Sequence, residues 1–239
     1  MNIALIGYGK MGKEVEQIAL SRGHKIVLKV SSQNATSYSG EELKQADIAI
    51  EFSIPESAII NIYKCFDAGI PIVVGTTGWL SHLNEVKLKC TEKNQTLFYA
   101  SNYSIGVNLF FRLNEQLAKL MNSYPDYNVS MEEIHHIHKL DSPSGTAISL
   151  ANQVIEHIHE KHKWVNASTP AKHELGIVSK RIDEVPGTHT VTYHSDVDEI
   201  SITHIAHNRK GFALGAVVAA EWIQGKKGIY GMNDLMNGK

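Results

Sequence analysis

The chain has 239 residues, with 23 Lys and Arg against 25 Asp and Glu, a formal net charge of −2. That near balance provides no overall basic field for nucleic acid or an anionic membrane, so any anion site must be local. Two cysteines, Cys65 and Cys90, lie far apart without a CxxC pattern, which excludes a disulfide framework or a cysteine-based zinc site and reads as two reduced thiols.

In chain order, Asn2 to Ile6 is a short apolar run, Met11 to Ser21 has a helical pattern and Lys25 to Val30 is apolar again, the start of a βαβ unit. No basic leader precedes the first run, and no apolar stretch approaches the roughly 18 residues of a membrane-spanning helix, so a cytoplasmic protein is expected. Ser31 to Gln45 is polar with Gly40 as its one glycine, and the usual third strand is expected to be abbreviated there. Asp47 to Phe52 reads as a strand, and Pro55 stands where it can open a helix bearing Ile59, Ile60, Ile62, Tyr63 and Phe66. Pro71 to Val74, a helix near Leu83 to Lys93 and a strand at Thr96 to Ala100 follow. Five strands separated by helices predict a doubly wound, Rossmann-like parallel sheet.

Beyond Ser104 the order becomes α+β. A long amphipathic helix (Val107, Leu109, Phe110, Leu113, Leu117, Leu120) leads to a strand at Tyr127 to Ile134, a helix from Gly145, and strands at Glu174 to Ile182, Thr188 to His194 and Glu199 to His207. Their alternation and β-branched residues predict a second domain with a mixed, largely antiparallel sheet. The final helix, Phe212 to Ile223, is rich in Ala and Val and is expected to return to the first domain.

Gly7-Tyr8-Gly9-Lys10-Met11-Gly12 directly follows the first strand and opens the first helix, the context that a GxGxxG fingerprint requires. Glycines permit the tight turn and a close backbone approach to pyrophosphate, and a helix N-terminus offers unpaired N–H groups. The competing reading is a plain strand-to-helix turn. Gly75-Thr76-Thr77-Gly78 and Ala100-Ser101-Asn102-Tyr103 follow later strands at the same carboxyl edge, where ligands of open α/β sheets bind, although each alone reads more readily as an ordinary turn. NAD-preferring sites place an acid about 20 residues beyond the fingerprint. Here Ser31 and Ser32 stand in that place, so a 2′-phosphate meets no repulsion and Lys10 or Lys29 can approach it. The cofactor expected is NADPH or NADH, with NADPH favoured.

The densest chemistry runs from Glu132 through His135-His136-Ile137-His138-Lys139-Leu140-Asp141-Ser142-Pro143-Ser144-Gly145-Thr146 to Ala147. HHxH alone does not supply the four ligands of a structural zinc site, so no metal is expected. Acid–base chemistry suits the segment better, because histidine titrates near neutrality and an adjacent lysine can donate protons or hold a carboxylate. Ser144 reads as an N-cap; the N–H groups of Gly145 and Thr146 either form an anion pocket or are merely capped. Neighbours in a regular strand point to opposite faces, so His135 and His136 cannot both face one substrate, and the strand is expected to end near Ile134.

On these residues the chain resembles the dihydrodipicolinate reductase family. The likeness runs through His135 to Ala147, Gly75 to Gly78, Asn102-Tyr103-Ser104-Ile105-Gly106-Val107-Asn108, Gly187-Thr188-His189-Thr190-Val191 and the last helix after Arg209, nearly the whole chain. The resemblance implies that His135 is the proton donor or acceptor, Lys139 a proton donor, and His136, Ser144, Gly145 and Thr146 the binders of a dicarboxylate substrate. It places cofactor contacts on Gly7, Tyr8, Gly9, Lys10, Met11, Gly12, Ser31, Gly75, Thr76, Thr77, Ala100, Ser101, Asn102 and Tyr103. It also implies a homotetramer built on the second domain's sheet, and a hinge closing over both ligands. The expected organisation is a dinucleotide-binding domain at 1–104, a substrate-binding and oligomerisation domain at 105–211, and a returning helix at 212–239. The short fingerprint loop and Ser31, where many relatives carry an acid, depart from the family pattern. Rival readings are an amino-acid or aldehyde dehydrogenase on the same cofactor fold, and a nicotinamide sensor without chemistry.

Overall fold

A computed structural model describes residues 1–208 and 210–238. Arg209 and Lys239, which fall inside the ranges expected above, lie outside the described residues. In chain order the elements are β1 (Asn2–Ile6), α1 (Lys10–Ser21), β2 (Lys25–Val30), α2 (Gly40–Leu43), β3 (Ile48–Glu51), α3 (Pro55–Ala68), β4 (Ile72–Val74), α4 (Leu83–Glu92), β5 (Thr96–Tyr99) and α5 (Ile105–Met121). They continue with β6 (Asn128–His135), α6 (Gly145–His157), β7 (Lys163–Val165), β8 (Glu174–Arg181), β9 (Gly187–His194), β10 (Glu199–Ala206), α7 (Lys210–Trp222), β11 (Gly228–Tyr230) and α8 (Met232–Met236). The chain divides into two units, one made of Met1–Ile105 with the chain from Lys210 on, the other beginning at Gly106.

The first unit holds a six-stranded sheet in the order β11-β5-β4-β3-β1-β2, with parallel pairing throughout. Alternate residues serve its two faces. Ala4, Ile6, Ala49, Ile72, Val74 and Leu97 pack with Ala58, Ile62 and Phe66 of α3 and Val86 of α4. Ile3, Leu5, Ile48, Ile50, Val73 and Phe98 pack with Val15 and Ala19 of α1 and Ala213, Ala216, Val217 and Ala220 of α7. Burial on both faces is why these strands read as unbroken apolar runs. No strand lies beyond β2 among the described residues. The segment after it turns instead, with Asn34 accepting from the Ser31 N–H at 2.7 Å and donating to the Lys29 carbonyl at 3.0 Å. The opposite edge gains β11, a three-residue strand too short to carry a periodic signal.

In the second unit the sheet order is β10-β9-β6-β8-β7, antiparallel along β10-β9-β6 and parallel along β6-β8-β7. Its core joins Val129, Met131, Leu175, Ile177, Val191 and Tyr193 to Phe110 of α5 and Ala147, Leu150, Ala151 and Val154 of α6. β6 alternates strictly, with Val129, Met131, Glu133 and His135 on the buried face. The strand runs one residue past the expected end, because His135 still pairs with Arg181 and its carbonyl accepts from the Ile182 N–H at 2.8 Å. His136 is thus the first residue beyond the strand.

Candidate active site

At the carboxyl edge of the parallel sheet, the chain turns sharply at Gly7, whose φ is +95° and where a Cβ would overlap the Phe52 carbonyl. The Phe52 ring likewise fills the space that a side chain at Gly75 would need, so one aromatic residue shapes two turns of the edge. Gly9 is the N-cap of α1 and has open space around it; no side chain caps that helix and no acid sits in its first turn. Free N–H groups, partial positive charge and room for a ligand fit a dinucleotide pyrophosphate.

Several residues expected there are engaged elsewhere. Tyr103 is 2% exposed, packed against Phe52 and Phe98, and its hydroxyl donates to the Val74 carbonyl at 2.7 Å. Its phenol cannot meet a cofactor without leaving the core. Thr76 is buried too, and its hydroxyl accepts from the Ser53 N–H at 2.8 Å. Lys29 pairs with Glu16 at 2.6 Å, and Glu16 also receives the Tyr8 hydroxyl. The Lys29 hydrogen bond, then that of Tyr8, holds the Glu16 carboxyl below its ordinary range. Lys29 is therefore not a free cation, while Lys10, Gly9, Thr77 and Ser101 are exposed, Met11 and Ala100 half-buried, and Gly12 buried in the helix. Asn102 is half-buried, its side-chain carbonyl accepting from the Ser104 N–H at 2.9 Å.

The second unit gathers charge around one carboxylate. Glu133 is wholly buried, yet His135 Nδ1 lies 2.9 Å from its Oε2, while Arg181 Nη2 at 3.1 Å and the Ser144 N–H at 3.2 Å donate to its Oε1. Burial opposes ionisation of Glu133, but contacts with His135, Ser144 and Ser179 outweigh it and hold the carboxyl well below the usual range. Across the ring of His135 stands His189, with centroids 5.0 Å apart; burial, then the nearby His135, pushes its pKa down to about 4. His189 Nε2 lies 3.0 Å from Ser144 Oγ, and that oxygen accepts the Ala147 N–H at 3.2 Å, so Ser144 caps α6. Its hydroxyl is buried and engaged by these two contacts. Gly145, exposed, and Thr146, half-buried, offer the remaining N–H groups at that helix start.

The loop after β6 is braced from the same side. Arg181 donates to the carbonyls of Asp141 at 2.6 Å and Lys139 at 3.3 Å. Lys139 Nζ lies 2.8 Å from both carboxylate oxygens of Asp141, and that contact lowers the Asp141 pKa. His136 is half-buried; His138 is exposed and pairs with Glu184 at 3.2 Å, outside the cluster. Glu133, His135 and His189 bring three potential donor atoms within 4.8 Å of one another, but Arg181 already meets the carboxylate's charge. Glu133, Arg181 and His189 were missed as site residues. Glu133 could have been found, since the period of two sets it on the face of His135.

Its parallel sheet and uncapped helix start have the form of a dinucleotide-binding fold, and the family matches make the chain a nicotinamide-dependent oxidoreductase. More narrowly, the chain belongs to the dihydrodipicolinate reductase family: residues 1–103 match the family described as "Dihydrodipicolinate reductase, N-terminus" and residues 106–236 its "C-terminus". A protein of Christiangramia forsetii named 4-hydroxy-tetrahydrodipicolinate reductase is 48% identical over 239 residues, covering 99% of this chain and 98% of that one. One of the same name from Methanosarcina mazei is 37% identical over 196 residues, 80% of this chain and 73% of that one. The solved structure of a dipicolinate-bound dihydrodipicolinate reductase from Paenisporosarcina sp. TG-14 shares the fold, with a TM-score of 0.75 over 98% of this chain and 99% of that one at 20% identity. Among the described residues no helix is long and apolar enough to cross a membrane.

Proposed function

We propose that the protein reduces the cyclic imine dicarboxylate derived from 4-hydroxy-tetrahydrodipicolinate to tetrahydrodipicolinate, on the diaminopimelate route to lysine. The observation that carries this is the match of both halves of the chain to one reductase family, together with a buried acid–imidazole pair joined through the Ser144 N–H to the start of α6. Bound NAD(P)H supplies the hydride. Loss of the 4-hydroxyl as water needs an acid and leaves a C=C conjugated with the imine; hydride addition at C4 then sends the electron pair through the conjugated system to nitrogen, which takes a proton. His135 and Lys139 supply these protons. The N–H groups of Gly145 and Thr146, with His136, hold substrate carboxylates, while Ser144 fixes the helix start that presents them.

On the first unit, residues Gly7 to Gly12, Ser31, Gly75 to Thr77 and Ala100 to Asn102 line the cofactor, with Tyr103 contributing through its backbone. Ser31 presents no carboxylate, so NADPH serves at least as well as NADH. A cytoplasmic homotetramer built on the second unit's sheet is part of the same reading and rests on the family resemblance. The test is coupled turnover: the condensation product of pyruvate and aspartate semialdehyde is supplied and loss of NADPH or NADH absorbance is followed. Consumption of either cofactor supports the reading. Consumption only with a simple amino acid or aldehyde overturns it.

A further inference from the structure

Glu133 and His135 stand two residues apart on the buried face of β6, and their facing atoms, Oε2 and Nδ1, lie 2.9 Å apart. Both atoms are buried and neither makes an aligned hydrogen bond among the described residues, so the contact is a close approach of carboxylate to imidazole, with His189 Nε2 3.9 Å from the same oxygen. On the other side of the ring, a Cβ at Gly187 would come within 3.0 Å of Nε2, and glycine keeps that nitrogen clear. The second carboxylate oxygen accepts from the Ser144 N–H and from Arg181, so one side chain bridges the histidine, the start of α6 and the arginine of β8. The groups facing His135 are Glu133 on β6, Arg181 on β8, which pairs with it across the strands, and His189 on β9, which itself feels the field of Lys139 in the loop.

We propose that Glu133 is the positioning residue of the proton transfer: its carboxylate keeps the His135 proton on Nδ1 and turns Nε2 towards the space that Gly187 leaves open. This rests on the reductase reading above and adds the residue that acts through His135. A carboxylate behind an imidazole fixes the tautomer and stabilises the imidazolium without itself becoming protonated. In the reduction, the imidazolium gives its Nε2 proton to the nitrogen that has gained the electron pair. The neutral ring that remains still points its Nδ1–H at Glu133. Arg181 stands against the other oxygen of the buried carboxylate, and the Ser144 N–H ties that oxygen to the start of α6.

The test uses Glu133→Gln and Glu133→Asp in the full chain. Long-range proton–nitrogen spectra of the imidazoles, with His135 assigned by its absence from His135→Gln, should show one Nδ1-protonated tautomer in the parent protein and a mixture in Glu133→Gln. In the same variant kcat should fall by roughly 10- to 1,000-fold, less than the loss of the imidazole itself, with KM changed by less than about threefold and the alkaline limb of kcat moved to lower pH. Glu133→Asp should keep the tautomer and recover most of kcat; if the Gln variant does not fold, a smaller fall in Asp, again in kcat and not KM, carries the same test. An unchanged tautomer in Glu133→Gln, or equal losses in the Gln and Asp variants, overturns the proposal. The spectra need no turnover: a tautomer change in a protein that reduces no imine would sink the reductase reading and leave the positioning of His135 standing.

Discussion

Glu51 and Glu133 are each wholly buried at or near the carboxyl end of a strand, one in each unit, and their surroundings shift their pKa values in opposite directions. Glu51 accepts from the Ser53 backbone and hydroxyl and from Asn61, all neutral donors; burial outweighs these bonds and its pKa rises. Glu133 meets His135, Ser144 and Ser179, with Arg181 on one oxygen, and its pKa falls although burial pulls the other way. Burial alone therefore does not decide how a carboxylate titrates; the groups its oxygens meet do. Glu51 ties the turn after β3 together beneath the cofactor edge, where the work falls to backbone N–H groups and glycines. The second unit relies instead on charged side chains brought together from β6, β8, β9 and α6.

If the charged cluster is where protons move, Lys139→Ala should lower kcat by about 10²–10⁴-fold with cofactor affinity unchanged, measured by turnover beside NADPH fluorescence titration. An equal loss of cofactor affinity would make Lys139 a structural residue. The two carboxylates should next part company in stability. Glu133→Gln strands Arg181 and should cost about 3–5 kcal/mol in urea unfolding at pH 7. Glu51→Gln should cost nothing or stabilise, because a carboxyl whose folded pKa is raised loses stability as pH climbs through that value, and the amide removes the penalty. Similar costs for both would break the comparison.

Acid should sharpen it. His189, with a folded pKa of about 4 against an ordinary value of 6.5, binds its proton more readily in the unfolded chain, so stability is whole above pH 6.5 and is lost as pH falls towards 4. The loss should be on the order of 2–3 kcal/mol, followed below it by that from Glu133, and His189→Asn should flatten the first part of the fall. A stability curve of the same slope in the variant would contradict this. The smallest effect lies at the cofactor edge: Lys10→Ala should weaken NADPH more than NADH by about 1–2 kcal/mol, whereas Lys29→Ala, already neutralised by Glu16, should not discriminate between them. Discrimination by Lys29 instead would place the 2′-phosphate on the wrong lysine.

How much of this was legible in the sequence follows the same division. The parallel strands declared themselves because both faces are buried, and the helix starts at Pro55 and Ser144 because capping is a short-range matter. β7 and β11, three residues each, are fixed by pairing with distant strands and carry no local period. The glycine turns were readable, but not that Phe52 fills two of them or that the Tyr103 hydroxyl is spent on Val74, since both depend on packing across the sheet. The histidine run begins on the strand that also carries Glu133. What makes His135 distinctive, the Arg181 and His189 contributed by β8 and β9, is assembled only by the fold.

The central claim is that the imidazole of His135 supplies a proton during imine reduction. The most direct measurement is kcat of His135→Gln across pH 6 to 9, with NADPH affinity determined on the same samples. A fall of about 10²–10⁴-fold with NADPH affinity intact is the expected result. Near-parental turnover across that range, or a loss of activity matched by an equal loss of NADPH affinity, would contradict the claim.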